Sequence, residues 1–168
     1  MSTIETADVI DSVLDLDKSP SLRELRDQRA KLKHFTQSSY VAALHPTDPH
    51  NLSYAERAAF AARMAALWKS AELVDHYKDL LAREGGTGDL LLLVDPAWMP
   101  AEDASRLATV LRHVDLVTTT PKQATRASIE ALQTVGLDER DIVTLAGLIA
   151  FVNYQILVVA GLKMLRDN

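Results

Sequence analysis

The sequence predicts an all-α fold, and three observations carry that expectation. Alanine and leucine abound while β-branched and aromatic residues are sparse, the aromatics making up 5% of the chain. Six glycines and six prolines in 168 residues leave few interruptions. Apolar residues recur at helical spacing behind recognisable caps. A composition of 48% hydrophobic and 24% charged residues, with a mean hydropathy of -0.02, fits one globular domain over 1–168 that is long enough to bury a sizeable core.

Six or seven helices joined by short polar turns are expected. In the first, over 6–16, Val9, Ile10, Val13 and Leu14 share one face. Ser19 and Pro20 offer an N-cap and a first-turn proline for a long segment through Leu44, bending near Lys33 where the apolar spacing drifts. Pro46 and Pro49 turn residues 45–51 into a loop. Ser53 and Glu56 then form a capping box that opens a helix over 53–84, stopped by Gly85-Gly86-Thr87-Gly88. Residues 90–94 are too short to classify by period and lean helical. A further helix starts at Pro100-Ala101-Glu102-Asp103 and ends before Thr118. Another covers 122–135 with Gly136 at its C-cap, and the last covers 139–166. Residues 52–56 and 137–141 align, each placing an acceptor cap three positions ahead of an acidic residue, so the two long helices are candidates for an internal duplication.

Charge and cysteine content exclude several functions. A net charge of -5 and a pI near 5.5 lack the basic footprint of a nucleic-acid binder. The absence of cysteine excludes disulfides, thiolate-zinc sites, iron–sulfur clusters and thiol catalysis by this chain alone. Acidic residues in the first sixteen positions do not suit a secretory signal, so a cytoplasmic location is expected. Residues 142–162 carry no charge and are long enough to span a bilayer. Asn153, Tyr154 and Gln155 lie in their middle, however, where a lone span offers polar groups no partner. A buried helix at a bundle centre or a subunit interface is therefore expected, with a homo-oligomer and no membrane partner. Gly85-Gly86-Thr87-Gly88 lacks the Lys-Ser/Thr of a phosphate loop, and no G-x-S-x-G elbow is present.

Leu52-Ser53-x-x-Glu56-Arg57, the alanine-rich helix after it, and Lys69-Ser70-Ala71-Glu72-Leu73-Val74-Asp75-His76 resemble the signature helix of the AhpD-like superfamily, which includes carboxymuconolactone decarboxylases and alkylhydroperoxidase domains. Residues 136–143, 149–155 and 160–162 resemble its peroxidase-related branch more closely. The likeness covers residues 50 to 165 and implies an all-helical fold that usually forms homo-oligomers. In the peroxidase members a glutamate, a Cys-x-x-Cys pair and a histidine three residues later combine a proton relay with disulfide exchange. Matching on the histidine places His76 at the family's histidine, Lys69 at its first cysteine and Glu72 at its second. Glu56, nearest to the upstream glutamate, stands one position off the strict spacing. With the thiols gone, thiol peroxidase activity is contradicted, although decarboxylases of the superfamily work without a thiol pair.

On an unbroken helix Lys69, Glu72 and His76 fall at i, i+3 and i+7, on one face. A carboxylate one turn before an imidazole holds its tautomer and raises its basicity. Acid–base chemistry on a small molecule by Glu72, His76, Lys69 and Glu56 is one expectation. The other is a non-catalytic oligomeric binding or partner module, with Glu72 and His76 an ordinary surface pair. Trp68, beside the motif, and Asn153 and Tyr154, polar within an apolar helix, are candidate substrate-binding residues. His45, Asp48 and His50 are ligand types that suit a divalent metal, but no further ligand is evident, so neither a metal nor a cofactor is expected. His34 and His113 read as surface or packing residues.

Overall fold

The computed structural model describes residues 7–102 and 105–167. Among them are nine α-helices and no strand: α1 (Val9–Val13), α2 (Pro20–Asp27), α3 (Ala30–Leu44), α4 (Tyr54–Leu67), α5 (Ala71–Arg83), α6 (Asp89–Leu92), α7 (Arg106–Thr119), α8 (Arg126–Thr134) and α9 (Glu139–Arg166). The expected start of the first helix at Thr6, and Asp103 in the start signal at 100–103, lie outside the described residues. Helix α7 begins instead behind Ser105, whose side chain accepts from the Ala108 N–H at 3.1 Å.

The core is organised around α4, because alanine lets neighbours approach on every side. Each residue from 57 to 65 is buried, and α3, α5, α6, α7 and α9 all pack against this helix. The C-terminal helix, expected at a bundle centre or a subunit interface, is not enclosed by this chain alone. Only 44% of the most apolar window of α9 is buried, although its length and hydropathy match a membrane span. Leu145, Leu148, Ile149, Val152, Ile156 and Val159 face the core. Val143 (72% exposed), Leu157 (60%) and Met164 (68%) do not. The physical reason is length: 28 residues extend ~42 Å, and helices of about half that length cannot wrap such a rod on all sides.

Two expected helices break. The segment from Pro20 to Leu44 bends at Gln28 and Arg29 rather than at Lys33, with Arg29 outside helical space at φ -110°, ψ 48°. Charge sets the corner: Asp8 and Asp11 hold Arg26, while Asp11 and Asp27 hold Lys33. The helix expected over 53–84 breaks at Trp68, Lys69 and Ser70. Lys69 is left-handed at φ 57°. Its N–H donates to Ala66 O at 3.0 Å, and the Ser70 N–H to Ala65 O at 2.9 Å. These are the two bonds of a Schellman helix end. Gly136, at φ 93°, closes α8 with the same pair of bonds, as its sequence position predicts. At position 69 the conformation costs a lysine ~1–2 kcal/mol that glycine avoids, which is why no break was visible there. The break folds α5 back along α4 and removes Lys69 from the face shared by Glu72 and His76.

Both predicted capping boxes form, at Ser53 with Glu56 and at Asp138 with Asp141. Beyond their first halves the two long stretches diverge, since α9 runs unbroken where the other turns. The duplication likeness therefore stops at Trp68.

Candidate functional site

The signature residues do not assemble as an unbroken helix would have placed them. On α5, His76 Nε2 lies 3.0 Å from the Tyr40 hydroxyl of α3, and Tyr40 is buried. The Glu72 carboxylate meets the Lys163 ammonium of α9 instead, and that bond holds its pKa below the usual carboxylate value. Expected partners one turn apart thus reach to different helices. Lys69 is exposed at the joint. Glu56 caps its own helix and pairs with Arg106. Chemically, Tyr40 and His76 can share a proton; the Phe151 ring stands edge-on against Tyr40 at 6.2 Å, and Phe151, unlike Tyr40 and His76, lines the cavity described below.

The candidate substrate-binding residues each contact other parts of the chain, and Tyr154 also lines the cavities described below. Trp68, 48% exposed, donates from Nε1 to Asn153 Oδ1 at 3.0 Å, fastening the α4–α5 joint to α9. The Tyr154 hydroxyl lies 3.1 Å from Thr36 Oγ1, bridging α9 and α3. Gln155, singled out for no site role, is the fully buried member of the three. It accepts from the Tyr77 hydroxyl, whose burial raises its pKa well above normal and keeps it neutral.

The largest described cavity is an apolar trough between α3 and α9, about 680 Å³ in volume. Phe35, Leu148, Phe151 and Tyr154 supply its walls, and Asp48 and Arg140, paired at 2.9 Å, lie at one end. A second cavity of about 490 Å³ shares Leu32, Thr36 and Tyr154 with it. Beneath the trough lies Arg57, whose side chain is buried completely. Its Nε donates to Leu52 O at 2.8 Å, Nη1 to Ala43 O at 2.9 Å and Nη2 to Pro49 O at 3.1 Å. Among the described residues no carboxylate lies within 4.0 Å of it, and burial pushes its pKa down. Sequence reasoning did not single it out. The signal available was an arginine inside an alanine run, where a solvated face has little reason to start.

The loop histidines go separate ways. His45 Nδ1 faces Glu84 at 3.8 Å, and Asp48 belongs to Arg140. His50 Nδ1 lies 2.6 Å from Asp141 Oδ1. Asp141 also accepts from Asn51 Nδ2 at 2.8 Å and from the Asp138 N–H at 3.0 Å. His50, Asp138 and Asp141 thus bring three ligand-type atoms within 4.8 Å of one another. Their lone pairs already serve the start of α9, which reads as a cap. His113 is buried, which lowers its pKa and leaves it neutral, and His34 is exposed beside Phe35.

The arrangement of helices is similar to that of an uncharacterized peroxidase-related protein from Silicibacter sp. TM1040, with a TM-score of 0.70 over 80% of this chain and 69% of that one, at 20% sequence identity. The two chains share an all-helical architecture. At that identity the likeness shows the fold. No protein-family model and no curated protein matches the chain.

Proposed function

We propose that this chain is a non-redox, self-associating binding protein on the peroxidase-related fold, and that its working site is the α3–α9 trough. The observation that carries this reading is the trough itself, which has the volume and apolar lining of a small-molecule site. Two further features support it. The positions matched to the family's thiols hold a left-handed lysine and a glutamate already engaged by Lys163. The outer face of α9 presents Val143, Leu157 and Met164 to solvent as one apolar stripe.

Nile red, a neutral dye that brightens in apolar surroundings, tests the trough. Saturable binding is expected for the wild type. Gly147 lines the trough with nothing within 4 Å of an added Cβ, so Gly147→Phe is expected to fill the space and weaken binding about tenfold, ~1.4 kcal/mol, with an unchanged helical spectrum. Absent binding, or equal binding by the variant, would remove the proposal.

Sedimentation at micromolar concentration tests self-association. An oligomer is expected for the wild type, and an 18.5 kDa monomer for Leu157→Glu, which places a charge within the stripe. A monomeric wild type would sink this part of the proposal. Leu157 does not line the trough, so the two measurements are independent.

A further inference from the structure

The geometry points to a ligand class: we infer that the trough takes an amphipathic monocarboxylate, its apolar chain lying along α3 and its head group held at the Arg57–Arg140 end. This rests on the binding reading above and deepens it.

The argument begins with Arg57. A guanidinium removed from water and bonded to three carbonyls keeps its charge, with no carboxylate in contact among the described residues. The acidic groups nearest in effect, Glu56 and Asp141, are engaged elsewhere, by Arg106 and by His50 with Asn51. The floor of an apolar cavity is therefore positive. A cationic ligand is repelled there, and a neutral one leaves the charge as it was. The apolar face of another protein would seal the charge in without a partner, which is costly. An anionic head over Arg57 offsets the charge through a medium that screens poorly.

Arg140 suits an oxyanion head group. Its planar fork matches the two oxygens of a carboxylate in a bidentate bond. It now holds Asp48, but both side chains are more than half exposed, so exchanging Asp48 for a ligand costs little. The trough's other walls are mainly aromatic and aliphatic, with Thr36, Ser39 and Thr144 among them, and the adjoining cavity past the Tyr154–Thr36 bridge carries cations of its own, Arg26, Arg29 and Lys33. Within the trough, one charged end with an apolar tail matches this distribution. A compact polar anion would leave most of the wall bare.

The test is displacement of Nile red by laurate, kept below its micelle-forming concentration, compared with dodecanol, which has the same chain and no charge. Laurate is expected to displace the dye from wild-type protein at about tenfold lower concentration. Raising the salt concentration is expected to narrow that gap. Arg57 also ties three carbonyls, so the variant used is Arg140→Gln, on a side chain 57% exposed. It is expected to bring the two ligands within about threefold of each other while dye binding persists. Gly147→Phe is expected to weaken both. Equal potency of laurate and dodecanol on the wild type would overturn the inference and leave the binding reading standing. Laurate binding that Gly147→Phe does not affect would overturn it as well, since the site would lie elsewhere. Loss of all Nile red binding by the wild type would overturn both.

Discussion

Replacing Arg63 by methionine is expected to cost ~3 kcal/mol of stability, the lower end for breaking a buried ion pair because Asp115 keeps partial contact with water. For a chain of this size that corresponds to a melting temperature lower by about 6–12 °C. The side chain is 2% exposed and donates to both Asp115 oxygens, from Nε at 2.7 Å and Nη2 at 2.6 Å. It also gathers the carbonyls of Leu93, Asp95, Pro96 and Trp98, at 3.2, 2.8, 3.0 and 3.0 Å. One guanidinium thus ties the irregular stretch after α6 to α4 and α7. Methionine has similar length but no donor, so Asp115 and four carbonyls lose their partner together. Arg126→Met, which breaks an exposed i,i+4 pair with Glu130, is the control and is expected to leave the transition in place. Equal melting temperatures for the wild type and Arg63→Met, read by circular dichroism, would rule out this clamp.

The Asp141–His50 pair is expected to give stability a maximum on the acidic side of neutrality. Burial works to raise the Asp141 pKa, but bonds from Asn51, His50 and Asp138 outweigh it and hold the carboxyl far below its usual value. A depressed carboxyl contributes stability above its unfolded pKa of about 4, and that contribution is lost as pH falls toward the folded value. His50 is shifted the other way, its pKa raised chiefly by the bond to Asp141. Its contribution is full below the unfolded value of about 6.5 and disappears as pH rises through the folded one. Both contributions are present between about pH 4 and 6.5. Asp141→Asn is expected to lower stability by ~2 kcal/mol at pH 5.5 and to flatten the alkaline slope, because His50 loses its anion. Urea unfolding at pH 3, 5.5 and 8.5 measures this. The same pH profile in the wild type and Asp141→Asn would exclude the pair as its source.

Much of the architecture was legible because the information is local. The boxes at Ser53 and Asp138, the left-handed Gly136 and the continuous helix from Glu139 each depend on residues within a turn of one another. A cap bond needs only its own neighbours to form. The candidate site was less legible because its contacts are long in sequence. His76 meets Tyr40 across 36 positions, Glu72 meets Lys163 across 91, and Tyr154 meets Thr36 across 118. Spacing along one helix placed Glu72 beside His76, and two other helices supplied competing partners. Burial within the chain was not legible for a related reason: α9 is strongly apolar, but burial depends on how many neighbours fit around a helix. The alanines of α4 admit neighbours that the larger side chains of α9 hold apart.

By itself, then, the sequence determined an all-helical chain, its principal caps and the exclusion of thiol chemistry, since propensity, capping and the lack of cysteine depend on no distant contact. Tertiary structure alone decided that α4 takes the centre, that the chain turns at Lys69, and that Arg57 lies buried beneath an apolar trough with no carboxylate of the described residues in contact. Each of these follows from which helix faces pack together, and packing sets the partners and the dielectric around a charge only once the chain has folded.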